Sequence, residues 1–331
     1  MPMPGSGYRR APPARSNEAR GCRWPCPPRR CPPQFIASGP GRVKPRGCDG
    51  ADNDETGALP MNFIHLDGLT LRYELRGGGA RTLVLLHELG GSLESFDALM
   101  LELPDDLRVL RYDLRGAGLS EKPRAPFGFA DHVGDLDRLL RALGTDGPVD
   151  IAGVAAGAAL AVSFALAHPQ RVSALALCAP ALSVDAARVQ YLAARSALCM
   201  RAGMRAVAAD TLERSYPPVL RTDRNAYLAY LGRFLGNDPV GYAHNNRAFA
   251  EVDLRERLAE VRQRCLLLAG AHDLLRPQAQ VEALARLIPG AAFATIDTAG
   301  HLMQVQAPAE LAGRLTAFLA TPATQPIPRA S

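Results

Sequence analysis

Short apolar runs alternate with helix-period runs through most of this chain, and that alternation restricts its fold more than any other feature. "TLVLLHE" (82–88), "RVLRYDL" (108–114), "VDIAG" (149–153), "ALALCAP" (174–180), "RCLLLAG" (264–270) and "AFATID" (292–297) have the length and composition of buried strands. Between the second and third, "FADHVGDLDRLLRALG" puts Phe129, Val133, Leu136, Leu140 and Leu143 on one helical face, and Gly144 stops it. Further helices are expected from the third run to about His168, over about 278–288 and over about 306–320. Strand-helix-strand order of this kind implies an α/β fold: a mostly parallel central sheet with helices on both faces. At the front, "MNFIHLDGLTLRYEL" alternates instead, as a hairpin does.

Between residues 182 and 259 the pattern becomes helical only, broken at "SYPPVL" and "GNDP". A helical insertion that splits a parallel sheet is expected to cap the C-terminal edge of its strands, where open α/β sheets bind ligands. The core is then 61–181 and 260–320, the cap 182–259, and 321–331 a C-terminal tail. Residues 1–60 are rich in Pro, Gly, Arg and Cys and lack periodicity, so burial cannot offset the entropy of ordering them. The contrast at Met61 favours a disordered leader upstream of the true start; a functional tail is the alternative.

Charge adds little. The formal net charge of +5 resides wholly in residues 1–60, with ten Lys/Arg against five Asp/Glu; the rest carries 28 of each. The folded part therefore gives no argument for a nucleic-acid or membrane partner, and a small molecule is the expected one. Ile151 to Gln170 lacks Asp, Glu, Lys and Arg, but its Ala and Gly content fits a buried helix rather than a membrane span. Residues 1–60 hold no apolar signal segment. Cys22, Cys26, Cys31 and Cys48 have no CxxC spacing, while Cys178, Cys199 and Cys265 sit in apolar surroundings, as expected of buried thiols in a reducing cytoplasm. No metal cluster, phosphate loop or full GxGxxG is present, so no cofactor is expected. Oligomeric state is not readable.

The chemistry lies in four loops. The turn from "VDIAG" into the next helix reads Gly153-Val154-Ala155-Ala156-Gly157. "GAHDLLRP" places Asp273 just after a strand, and "AGHLMQVQAP" places His301 before the last helix. An early loop reads His87-Glu88-Leu89-Gly90-Gly91-Ser92. In element order and in these motifs, the chain from Met61 to about Ala320 resembles the α/β-hydrolase-fold family. Its segment "DPVGYAHNNRAFAEVDLRERL" (238–258) is similar to the corresponding stretch of 3-oxoadipate enol-lactonases.

The resemblance makes Gly153–Gly157 the nucleophile elbow, a strained strand-to-helix turn that normally holds a serine. Here that position is Ala155, and a methyl group cannot attack a carbonyl. Asp273 and His301 match the family's acid and base, and the backbone N–H groups of Leu89 and Ala156 its oxyanion donors. Glu88 stands where the family commonly has glycine. It is either a solvent-facing or salt-bridged side chain, with an arginine of "RGAGLS" (115–120) as partner, or a carboxylate beside the oxyanion hole that partial burial makes a usable acid.

No other residue replaces the serine convincingly. Ser92 and Ser120 suit loop structure, Ser163 lies too far along the helix, and Cys178 reads as a buried strand thiol. Tyr216, Tyr242, Asn245, Asn246 and Met303 are candidates for lining the pocket. The expected function is an enzyme acting on a small ester, enol-lactone or diketone-like substrate, with His301 and Asp273 activating water or moving a proton. The alternatives are a non-catalytic ligand-binding protein and a serine hydrolase carrying an engineered Ser-to-Ala change at residue 155.

Overall fold

A computed structural model describes residues 62–320. The expectations for 1–60 and 321–331, including the four leader cysteines, lie outside the described residues. The opening hairpin is β1 (Asn62–Leu66) and β2 (Leu69–Arg76), joined through Asp67 and Gly68. Both have positive φ, 46° and 88°, as a two-residue hairpin turn matched to strand twist requires. Then follow β3 (Thr82–Leu86), α1 (Asp97–Glu102), β4 (Arg108–Tyr112), α2 (Phe129–Ala142), β5 (Val149–Val154), α3 (Ala156–Ala167) and β6 (Val172–Cys178). Four helices come next: α4 (Ala186–Ala202), α5 (Arg205–Ser215), α6 (Arg224–Leu235) and α7 (Pro239–Ala250). The chain closes with β7 (Arg264–Gly270), α8 (Gln278–Leu287), β8 (Ala292–Ile296), α9 (Met303–Gln306) and α10 (Pro308–Ala320).

The eight strands form one sheet in the order β1-β2-β4-β3-β5-β6-β7-β8. Only the β1–β2 and β2–β4 pairs are antiparallel; the rest are parallel. Every residue of β3 and β5 is buried, which explains why both are largely apolar; the exception in β5, Asp150, is paired with Arg81 at 2.6 Å. Leu83 and Leu85 face a core built with α1 and α10, whereas Val84 and Leu86 face one built with α2, α3 and α8. The charge-free stretch from Ile151 is divided between β5 and α3, and no helix among the described residues is long and apolar enough to cross a membrane.

Three details differ from the sequence expectations. The short helix α1 was not anticipated, because six residues hold too little periodicity to register. The last helix is two, α9 and α10: Pro308 disfavours helical backbone at Ala307, whose φ and ψ are −144° and 58°. Helix α2 ends as expected, with Gly144 at φ 63° and Thr145 N–H donating to the Leu140 carbonyl at 2.8 Å. Its innermost face, however, is His132, Asp135, Leu136, Leu139 and Leu140, with Phe129, Val133 and Leu143 only partly buried. Two polar side chains are accepted there because Arg115 grips Asp135 at 2.5 and 2.6 Å and the His132 ring packs edge-on to Phe127.

Burial depresses the His132 pKa to about 4 against about 6.5 for a free imidazole. Its folded-state pKa is the lower one, so on acidification the unfolded chain takes up this proton first. The contribution is complete above about pH 6.5 and is lost as pH falls towards 4, on the order of 3 kcal/mol in all. Denaturant melts at pH 7.5 and 4.5 should therefore differ less for His132→Phe than for the parent. An unchanged pH difference would show that His132 is not the group responsible.

The helical insertion leaves and rejoins the core at one point. Val184 N–H donates to the Val252 carbonyl and Leu254 N–H to that of Leu182, each at 2.9 Å, around a bridge between Ser183 and Asp253. Two of its three breaks fall at the motifs expected from sequence, after α5 and after α6; the third, between α4 and α5, was not anticipated and turns at Gly203, φ 76°.

Candidate active site

The elbow has the geometry its glycines require. A Cβ on Gly153 would stand 2.4 Å from the Gly157 carbonyl oxygen, and one on Gly157 2.2 Å from that of Leu86. Ala155, between them, has φ 52° and ψ −108°, a conformation that costs a non-glycine residue about 1–3 kcal/mol. Neighbouring backbone over-determines it: its N–H donates to the Cys178 carbonyl at 2.9 Å, and its own carbonyl accepts from Ala158 at 3.1 Å and Ala181 at 3.2 Å. Ala156 opens α3, so its N–H is among those that no helical turn can satisfy.

Asp273 and His301 meet although they are 28 residues apart. His301 Nδ1 lies 2.9 Å from Asp273 Oδ2 in a buried contact. Asp273 Oδ1 accepts from the N–H groups of Leu275 at 2.7 Å and Arg276 at 2.9 Å, so both carboxylate oxygens are engaged. The histidine loop is braced by Gln306, whose Oε1 accepts from Gly300 N–H at 2.8 Å and Leu302 N–H at 3.2 Å. His87 is structural: Leu114 N–H donates to its Nε2 at 3.1 Å, which leaves Nδ1 to donate to the Glu88 carbonyl at 2.8 Å.

Glu88 contradicts one of its two expected readings. It is neither solvent-facing nor paired with an arginine; Arg115 is committed to Asp135 and Asp131 instead. The Glu88 side chain is buried and collects three side-chain donors. Ser95 Oγ donates to Oε1 at 2.9 Å, Tyr230 Oη from α6 to Oε1 at 2.8 Å, and Gln304 Nε2 from α9 to Oε2 at 3.0 Å. Burial and the nearby carboxylate push the Tyr230 phenol pKa up, which keeps it a donor. The physical reason for the difference is the insertion: α6 lays Tyr230 over a loop that sequence alone leaves open to solvent.

Glu88, Leu89, Ala155, Ala156 and His301 line one cavity of about 60 Å³ between the strand ends and the insertion. Of the residues expected to line it from sequence, none of Tyr216, Tyr242, Asn245, Asn246 and Met303 does so. Tyr242 and Asn245 border a smaller void behind Leu89 and Gly90. Asn246 Nδ2 donates to the Tyr242 carbonyl at 2.7 Å, Tyr216 packs on Tyr227 and Tyr230, and Met303 lies in the core under α9. The insertion instead presents Arg188, Arg195 and Tyr230, joined by Arg276 from the loop after β7. Arg188, Tyr191 and Arg195 are spaced three and four apart, one stripe of α4, a signal that arginine abundance hid.

No side chain of the cavity replaces a serine at residue 155. Thr211 and Ser215 give their hydroxyls to helix carbonyls, of Val207 at 2.6 Å and Thr211 at 3.0 Å. Ser92 and Ser120 serve loops, as expected. Burial pushes the Cys178 thiol up to about 12, far from thiolate formation. A fluorophosphonate probe should therefore leave the intact mass of the protein unchanged. Stoichiometric labelling at any pocket residue would contradict this assignment.

Sheet order, the strained Gly153–Gly157 turn and the buried His301–Asp273 contact together point to the class. Residues 81–308 match the family model described as alpha/beta hydrolase fold, and the chain belongs to that family. It is 28% identical over 251 residues to a putative carbamate hydrolase RutD of Azorhizobium caulinodans, spanning 75% of this chain and 94% of that protein. The crystal structure of the enol-lactonase from Burkholderia xenovorans LB400 superposes with a TM-score of 0.74 at 28% identity, covering 78% of this chain and all of the other. A thermophilic esterase from Thermogutta terrifontis also gives 0.74, at 25% identity, over 80% and 98% of the two chains. By their descriptions these relatives are hydrolases of carbamate, enol-lactone and ester bonds.

Proposed function

We propose that this chain is an enzyme of the family that acts on a small carbonyl compound without forming a serine acyl-enzyme. The observation that carries the reading is that His301, buried and hydrogen-bonded to Asp273, borders the same cavity as a strained Ala155. A site with no chemistry to perform gains nothing from that strain. The substrate is a small ester, enol-lactone or diketone-like compound, in keeping with the relatives' ester, lactone and carbamate substrates.

In the proposed reaction, a water bound against the Ala155 methyl attacks the carbonyl carbon while His301 Nε2 takes its proton. Asp273 fixes the imidazole tautomer and stabilises the imidazolium. The carbonyl oxygen, now anionic, is held by the N–H groups of Leu89 and Ala156. As the tetrahedral species collapses, the bond to the leaving oxygen breaks and His301 returns the proton to that oxygen. Glu88, for which an acid was one of two readings from sequence, receives three donors and acts here as a positioning residue: through Gln304 it holds the segment that begins just past His301.

The test is a screen of the purified protein against small esters, enol-lactones and β-diketones, with His301→Ala in parallel. Turnover that falls about 10²–10⁴-fold in the variant is expected, the usual contribution of a general base. Binding of a panel member without turnover in the parent would favour a non-catalytic ligand-binding protein on the same fold.

A further inference from the structure

Three arginines line the cavity that holds His301. Arg188 and Arg195 come from α4, and Arg276 from the turn whose backbone binds Asp273. Among the described residues, the ion pairs are made by other arginines, and none of these three is in one. The nearby carboxylates are occupied. Asp185 accepts from Arg188 N–H at the start of α4, Asp210 takes Tyr191 Oη and Arg214, and Asp273 takes His301 with two backbone N–H groups.

Arg195 is 8% exposed, and its Nε is buried without a hydrogen-bond partner, as is that of Arg188. Their orientation is set by aromatic faces rather than by counter-ions. The Arg188 guanidinium lies 4.6 Å and that of Arg195 5.8 Å from the Tyr191 ring centroid, and Arg195 also stacks on Tyr242 at 5.1 Å and takes its hydroxyl as a hydrogen-bond acceptor. Arg276 Nη1 donates only to the adjacent Leu275 carbonyl. Desolvation lowers the pKa of all three, and for each the charge of a neighbouring arginine lowers it further. Holding three cations together in a half-buried site is costly unless an anion joins them.

We propose that Arg188, Arg195 and Arg276 form a carboxylate-binding subsite, so that the substrate is a small carboxylic acid bearing its reactive carbonyl a few atoms from the carboxylate. This rests on the enzyme reading above for the carbonyl's place, but not for the anion's. Guanidinium forks match a planar carboxylate with paired N–H donors. Arg188, Arg195 and Arg276 line the same cavity as His301, so one short molecule in it can meet both. Arg276 couples the two functions, since its backbone N–H holds the acid that orients His301.

Binding of monomethyl succinate, dimethyl succinate and inorganic phosphate, followed by ligand-observed NMR in buffer free of other carboxylates, tests the subsite. Monomethyl succinate is expected to bind at least about tenfold more tightly than the neutral diester or phosphate. Arg276→Gln and Arg188→Gln should each weaken it about tenfold or more, the worth of one charge-assisted hydrogen bond, while leaving the diester unaffected. The Arg276 side chain makes a single local hydrogen bond, so its variant reports on binding even if a substitution at the stacked Arg195 impairs folding. Equal affinity for acid and diester, arginine variants that bind normally, or tighter phosphate binding would each overturn the subsite. These results are separable from the enzyme reading: arginine-dependent binding without turnover of any panel member leaves the subsite standing and the catalytic proposal fallen. Turnover of neutral esters at an unchanged KM in the arginine variants does the reverse.

Discussion

Ala155→Ser is expected to raise p-nitrophenyl acetate hydrolysis at least about 10²-fold over the parent, with a burst of acyl-enzyme. The backbone is already in the conformation a nucleophilic serine needs, at φ 52° and ψ −108°, and the new hydroxyl adds one atom to a Cβ already in place. His301 and Asp273 are hydrogen-bonded, and Leu89 and Ala156 border the same cavity. A nucleophile restored to a tuned site returns about 10³–10⁶-fold; this one is expected to fall short because Glu88, in place of the family's common glycine, lines the cavity beside Leu89. Adding His301→Ala should abolish the gain. A folded but inert Ala155→Ser protein would mean that His301 is not aimed at residue 155.

The second large effect is on stability. Glu88→Ala removes the one acceptor that satisfies Ser95, Tyr230 and Gln304, and each buried donor left without a partner costs about 1–3 kcal/mol. A loss of about 3–6 kcal/mol is expected in denaturant unfolding. Glu88→Gln keeps the shape and one acceptor oxygen, so it should lose about half as much. The network has a sharper signature in a double-mutant cycle. Tyr230→Phe should destabilise the parent yet be neutral or stabilising in the Glu88→Ala background, where the hydroxyl has lost its partner. Additive losses would show that Tyr230 and Glu88 do not depend on each other. If Glu88 acts by positioning, Glu88→Gln lowers kcat without removing a limb from the pH–rate profile; loss of an acidic limb would make it the acid after all.

The centre of the sheet was legible because β3, β5, β6 and β7 are buried almost throughout and so stand out as largely apolar runs, whereas the partly exposed β1 and β2 were read from their alternation. The strand-to-helix turn was legible because lack of space demands Gly153 and Gly157; Asp273 and His301 were singled out by their resemblance to the family's motifs, and the fold brings their side chains together. What sequence hid is what depends on the insertion. Glu88 sits in a loop, where no periodicity reports burial, and only the path of α6 decides that Tyr230 covers it. The pocket lining followed the same logic. Tyr242, Asn245 and Asn246 looked like lining because they are polar or aromatic in an insertion helix, yet α7 turns them into its own packing, and α4 turns Arg188 and Arg195 inward instead. In α2, apolar spacing located the helix but not its innermost line, since Arg115 neutralises Asp135 from a distant loop.

The central claim, catalysis by His301 without a covalent intermediate, is tested most directly by mass. Protein in excess over the best substrate from the screen is quenched at intervals through one turnover, and intact mass and product are read from the same samples. Product should accumulate at a rate that falls about 10²–10⁴-fold in His301→Ala, while the protein keeps its unmodified mass at every time point. An acyl adduct on any residue, or product formed equally fast without His301, would contradict it.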